Sequence, residues 1–496
     1  MNYQSTRDSK ISITAARAIA QGLSADGGLF LPETLPRLTP EMISKMTRMG
    51  YSERASLVLS MFLEDFGAEE LSTYTGKAYG SPGFSSSSAA PLHKLDSNTH
   101  FLELWHGPTS AFKDIALQIL PYLLSASLKK TNDKREACIL VATSGDTGKA
   151  ALEGFRDVAG TRIMVFYPLR GVSEIQRLQM ATQSGANVNV VAVEGNFDDA
   201  QKGVKEIFSD ETLREELNGK GFFLSSANSI NWGRLVPQIV YYVSSYCDLI
   251  ASGEISTGDR VNYCVPTGNF GNILAAWYAK EIGLPVSKLI CASNINNVLT
   301  QFINTGAYSR ERPFYTTMSP SMDILVSSNL ERLLFEASGK DSAVTAGYMS
   351  ALSNTGRYEV TGKMRDVIGE TFTGLYASED DTKKAIAEVF NRYSYLVDTH
   401  TAVAYKALRD YRETTLDDTP SIVVSTASPF KFCESVLDAL GIGYSGSGVD
   451  LIDRLSEETG CPVPEPLAAL RGMEPRFKEA VRVNGMNDAV RRFVES

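Results

Sequence analysis

An α/β chain built on open parallel sheets is what this sequence predicts. Short apolar runs alternate with glycine turns and segments of helical length, and the same strand, turn and helix unit recurs along the chain. No sequence repeat accompanies it, so only the unit type recurs. A composition of 43% hydrophobic and 21% charged residues over 496 positions is ordinary for a globular protein of several domains.

Residues 1–95 form a first region. Ile11, Ile13, Ala15, Ala16, Ile19 and Leu23 predict a helix or a strand leading into one, DGG at 26–28 a tight turn, and LFLP an extended piece. Tyr51 to Phe66 has the spacing of an amphipathic helix, and the Gly/Pro/Ser stretch from Ser81 to Pro91 marks a boundary. From Glu136 to Arg156 come the run ACILVAT, the turn SGDTG and the helix KAALEGF. TRIMVFYP with a helix over Ser173–Ser184, ANVNVVAV with a helix after Asn196, RVNYCVP with ILAAWYAK, and SIVVS with KFCESVLDAL repeat that order. Residues 305–398 are expected as a helical insertion, and GYSGSG at 443–448 as a joint before two short C-terminal helices. The division read from this pattern is 1–95, a large domain from 96–136 and 220–450, a small α/β domain over 137–219, and a helical segment over 451–496.

The totals exclude several functions. A net charge of −10 with no long basic block argues against nucleic acid and anionic membranes as partners. No apolar run approaches the ~20 residues of a membrane span, and MNYQSTRDSK has neither a signal core nor a transit pattern, so a cytoplasmic protein is expected. Six scattered cysteines without a CxxC pair, and four histidines, support neither a metal site nor a disulfide framework, so reduced, buried cysteines are expected.

Four stretches carry candidate chemistry. In WHGPTSAFKDIALQ, Phe112, Ile115, Ile119, Leu120, Leu123 and Leu124 recur at helical spacing, which puts Lys113 in a first helical turn. The helix dipole, and burial among Phe112, Trp105 and Pro108, would both lower the hold of the amine on its proton, as a nucleophilic lysine requires. TGNFGN at 267–272 follows a strand and opens a helix, so backbone amides converge there on an anion without any lysine. It has fewer glycines than a dinucleotide fingerprint and no acidic residue placed for a ribose, which disfavours NAD. TSGDTG at 143–148 either offers Ser144, Thr147 and free amides to a carboxylate, or is an ordinary capped helix start. SSANSINWGRL at 225–235 is either a solvated loop or, through Arg234, a bidentate phosphate contact.

HGPTSAFKD, together with DGGLFLPE near the N-terminus, resembles the threonine synthases, pyridoxal 5'-phosphate enzymes of the tryptophan-synthase-β-like fold, and the resemblance spans essentially the whole chain. It implies two open parallel-sheet lobes plus an N-terminal region. It makes Lys113 the lysine that carries the cofactor and the catalytic base. Gly268, Asn269, Phe270, Gly271 and Asn272 match the loop around the cofactor phosphate, Asp146 stands where the wider fold has an Asn facing the ring hydroxyl, and Thr426 matches the residue at the pyridine nitrogen. Asn228, Ser229 and Arg234 fit the family's NS(x)4R pattern for a substrate phosphate, implying O-phospho-L-homoserine as substrate and L-threonine as product. Many members have TAHP where this chain has TASP, so Ser428 replaces a histidine. The expected assembly is a monomer or weak homo-oligomer. The alternatives are a dehydratase or β-eliminase without a second phosphate, and a non-catalytic relative that binds the cofactor or phosphoamino acids.

Overall fold

A computed structural model describes residues 1–80, 83–143, 145–169 and 172–495. Two parallel sheets form its frame. The larger has six strands in the order Phe372–Tyr376, Val286–Ser293, Val261–Pro266, Ser421–Ser425, Thr99–Glu103 and Leu92–Lys94, parallel except for the last pair. The smaller has five, Ala480–Val481, Val188–Val193, Thr161–Pro168, Glu136–Ala142 and Phe222–Ser225, all parallel. Val261–Pro266 and Ser421–Ser425 are buried at every position, as central strands covered on both faces must be.

The units read from sequence recur with shifted ends. Helices run over Asp146–Phe155, Glu174–Ala181, Phe197–Ser209, Gly271–Glu281 and Cys433–Leu440. Asn196 caps its helix by accepting from the Asp199 N–H, the side-chain bond that short polar residues make there. The helix expected over Tyr51–Phe66 ends at Phe62. In the N-terminal region Ser12–Thr14, Asn2–Ser5 and Phe30–Pro32 make a three-stranded antiparallel sheet, with a helix over Ala15–Gln21. Trp232–Ala251, buried along nearly its whole length, packs against that region and against Gly271–Glu281.

Sheet membership differs from the division read from sequence at several places. Phe222–Ser225 belongs to the smaller sheet, and Leu92–Lys94 to the larger. The stretch 305–398 is not purely helical: Phe372–Tyr376 is an edge strand of the larger sheet, and Ala307–Ser309 pairs with Arg357–Glu359. Nor is 451–496 only helical, because Ala480–Val481 pairs with Ala192–Val193 before the helix Met486–Glu495. All six cysteines are unpaired, and Cys461 is only partly buried. Among the described residues no helix is long and apolar enough to cross a membrane, and no three His, Cys, Asp or Glu side chains are grouped to hold a metal.

Candidate active site

Lys113 opens the helix Lys113–Leu117, and a backbone seam fixes the approach to it. Phe112 N–H donates to the Thr426 carbonyl at 2.8 Å, Ser428 N–H donates to the Ser110 carbonyl at 3.1 Å, and Ala111 bridges to Ala427. The loop after Ser421–Ser425 is thereby zipped to the lysine loop. Ser110 takes the left-handed conformation at φ 56°, an uncommon one for a residue with a side chain. The Lys113 side chain is 12% exposed, with its Nζ 4.8 Å from the Phe112 ring centre and 4.0 Å from Asp146 Oδ2. Burial pushes the amine down to about 8; Lys431 and Arg234 act in the same direction, and Asp146 opposes them. Of the neighbours expected from sequence, Phe112 is beside it, while the Trp105 indole stacks on His106 and donates to Ser425 Oγ.

Asp146 begins the helix Asp146–Phe155 and is buried. Its Oδ1 pairs with Lys431 Nζ at 2.8 Å and accepts from Gln176 Nε2 at 2.7 Å. Burial alone would raise its carboxyl, but Lys431 and Lys113 hold it well below the ordinary range. The amides of this turn are not all free, since Thr143 Oγ1 accepts from the N–H groups of Gly145 and Gly148, at 3.0 and 3.1 Å.

The TGNFGN loop joins Val261–Pro266 to Gly271–Glu281, with Phe270 left-handed at φ 63°. A Cβ on Gly268 would lie 2.5 Å from the Ser321 carbonyl oxygen, so only glycine lets the two backbones meet there. The Gly268 carbonyl accepts from Ser327 Oγ at 2.8 Å and the Asn269 carbonyl from Asn329 Nδ2 at 3.0 Å, which turns these acceptors toward 327–329. Asn272 Oδ1 accepts from the hydroxyls of Tyr241 and Tyr242 at 2.5 and 2.6 Å, while its Nδ2 is buried without a partner. A buried amide left as a lone donor beside a helix start is what an incoming phosphate would satisfy.

Arg234, on the first turn of Trp232–Ala251, is 3% exposed. Its Nη1 donates to the Ala227 carbonyl at 2.7 Å, its Nε has no partner, and among the described residues it forms no ion pair. Burial pushes its guanidinium down to about 10. A buried cation without an anion is costly unless a ligand supplies one.

These groups share one cavity of about 860 Å³. Lys113, Asp146, Thr147, Asn228, Ser229, Arg234, Gly268, Asn269, Phe270, Gly271, Asn272 and Thr426 all line it. Ser144 lies outside the described residues. Ser428 is buried elsewhere, its Oγ accepting from Phe430 N–H as a cap of the turn Pro429–Lys431. The sequence reading missed Lys431 and Gln176, which both meet Asp146, and His400, which lines the cavity. His400 shares 2.7 Å with Asp398 through Nδ1, and its Nε2 accepts from Ser321 N–H at 3.2 Å. Lys431 alone had a sequence signal, a lysine between aromatics in PFKF.

An open parallel-sheet fold whose cavity holds a buried lysine of weakened basicity beside a glycine loop at a helix start is the arrangement of a pyridoxal-phosphate-dependent enzyme. Comparison with known proteins agrees. Residues 86–427 match the pyridoxal-phosphate dependent enzyme family, 2–79 the threonine synthase N terminus, and 401–494 the threonine synthase C-terminal family. The threonine synthase of Pseudomonas aeruginosa is 39% identical over 474 residues, covering 95% of this chain and 97% of that protein. Human threonine synthase-like 1 is 40% identical over 86% of this chain, which spans 58% of that longer protein. The crystal structure of PLP-bound threonine synthase from Brucella melitensis superposes with a TM-score of 0.89 at 35% identity, covering all of both chains. The yeast threonine synthase structure gives 0.89 at 32% identity, covering 100% of this chain and 99% of the other. The chain belongs to the threonine synthase family.

Proposed function

We propose that the protein converts O-phospho-L-homoserine and water to L-threonine and inorganic phosphate. The observation that carries this reading is the pairing, in one cavity, of Lys113 with two separate anion-binding arrangements, the TGNFGN cradle and the buried, unpaired Arg234. A cofactor phosphate needs only the first. The second suits a substrate with its own phosphate, which a simple dehydratase substrate lacks.

In this reading Lys113 would hold pyridoxal phosphate, Gly268 to Asn272 would take its phosphate, and Asp146 and Thr426 would serve its ring hydroxyl and ring nitrogen. When bound, the cofactor withdraws electrons from the substrate carbons next to the amine. The remaining tasks fall to side chains. Arg234, with Asn228 and Ser229, grips the substrate phosphate; the helix start at Thr147, with the Ser144 hydroxyl, takes the substrate carboxylate. Once freed, Lys113 Nζ is the base for the Cα proton. A proton then leaves Cβ, phosphate departs from Cγ, Cγ takes up a proton, water adds its OH at Cβ, and a proton returns to Cα. Lowered basicity suits Lys113 to this work, because its amine sheds a proton near neutral pH.

The test is to mix cofactor-loaded protein with O-phospho-L-homoserine and measure phosphate and threonine together. Equimolar release is expected. Neither product forming, while serine or threonine is deaminated, would overturn the reading.

A further inference from the structure

Lys431 is a fully buried lysine that does not line the cavity, yet it touches the two structures that define the state of Lys113. Its Nζ donates to the Thr109 carbonyl at 2.8 Å and pairs with Asp146 Oδ1 at 2.8 Å. Thr109 belongs to the loop that carries Lys113, and is itself fastened there, its N–H and Oγ1 donating to Asp114 at 2.9 and 2.7 Å. Lys431 and Gln176 both bond Asp146 Oδ1, while Lys113 stays 4.0 Å from Oδ2, beyond hydrogen-bond range. One carboxylate is thus shared by two ammonium groups and committed to the one outside the cavity.

A buried carboxylate facing Lys113 alone would draw its amine into a tight ion pair and keep it protonated. Resting on the reading of Lys113 given above, we propose that Lys431 is a positioning residue: it neutralises Asp146 and anchors the Thr109 loop, leaving the Lys113 amine without a partner that would hold its proton. The other charged groups around the pair are Arg234 on Trp232–Ala251, Asp114 next to Lys113, and Lys149 and Glu153 on Asp146–Phe155. Among the described residues Lys431 is the one cation in hydrogen-bonded contact with Asp146, Lys113 standing at the 4.0 Å limit of an ion pair. The charge of Lys431 lowers the hold of both Asp146 and Lys113 on their protons, as this arrangement requires.

The test reads Lys113 directly. The full chain, freed of cofactor, is labelled with trace acetic anhydride across a pH series, and Lys113 acetylation is quantified by peptide mass spectrometry. Lys431→Met is expected to move the labelling midpoint upward and cut Lys113 labelling at pH 7.5 by about tenfold. Asp146→Asn, which leaves Lys431 in place, should move it downward, and the double variant should return it toward the starting value. A folded Lys431→Met protein with an unmoved midpoint overturns the proposal, as does an equal fall in the Asp146→Asn background. Should Lys431→Met fail to fold, Asp146→Asn alone decides, since a midpoint that rises or stays put excludes control through the carboxylate. No substrate takes part, so failure of the proposed reaction would show in the product assay and leave these midpoints unchanged.

Discussion

Asn329 holds the Asn269 carbonyl twice, through its own N–H at 3.1 Å and its Nδ2 at 3.0 Å. Behind it stands Arg332, fully buried, whose guanidinium donates to Asn329 Oδ1, to the Phe30 carbonyl and to the Ile230 carbonyl. One side chain therefore ties the TGNFGN loop to the N-terminal sheet and to the loop that leads into Arg234. Asn329→Ala should weaken binding of pyridoxal phosphate to the apoprotein by about 10- to 100-fold, the scale of one or two lost buried hydrogen bonds. A fluorescence titration with the cofactor measures this, and unchanged affinity would show that the cradle supports itself.

Lys113→Ala should lower turnover by at least about a thousandfold if, as proposed, it is both the cofactor attachment and the base. Borohydride treatment of the holoenzyme followed by peptide mapping should fix the cofactor on Lys113. Its appearance on Lys431 would move the catalytic assignment there.

Arg234→Leu separates function from stability. The substrate KM should rise about 100-fold or more if Arg234 makes the proposed bidentate phosphate contact. The apoprotein should melt at the same temperature or higher, since the change removes a buried charge with no anion, at the cost of about 1 kcal/mol for the bond to Ala227. Steady-state phosphate release and thermal melts check the two halves, and a marked fall in Tm with unaltered KM would make Arg234 a structural residue.

Glu336 gives a pH-dependent stability. Its side chain is 8% exposed and its Oε1 has no partner, and burial pushes its carboxyl up from the ordinary range to about 7. The folded form then holds a proton between about pH 4.5 and 7 that the unfolded chain has released, so stability falls as pH rises through that window. Glu336→Gln should therefore stabilise the protein by roughly 1–3 kcal/mol at pH 8 and by little at pH 4.5. Denaturant titrations at the two pH values give the comparison.

The parallel-sheet core was legible because its strands read as apolar runs with glycine turns at their ends, a local pattern. Lys113 and the TGNFGN cradle were legible for the same reason, each being announced by its own few residues. Lys431 was marked only by its aromatic neighbours in PFKF, and its role was not legible, because it exists only where the turn Pro429–Lys431 meets Asp146 and nothing near Asp146 in sequence points there. Phe372–Tyr376 escaped notice since a five-residue strand amid helices gains its meaning from its partner Val286–Ser293. Ala480–Val481, two residues long, carries no periodicity at all.

That small strand bears on how the protein is made. The Ala192–Val193 end of Val188–Val193 has no second strand beside it until Ala480–Val481 pairs there, and most of the chain separates the two. At ordinary rates of synthesis the interval is roughly 15–60 s. The smaller sheet therefore gains its last strand only when the C-terminal segment has been made.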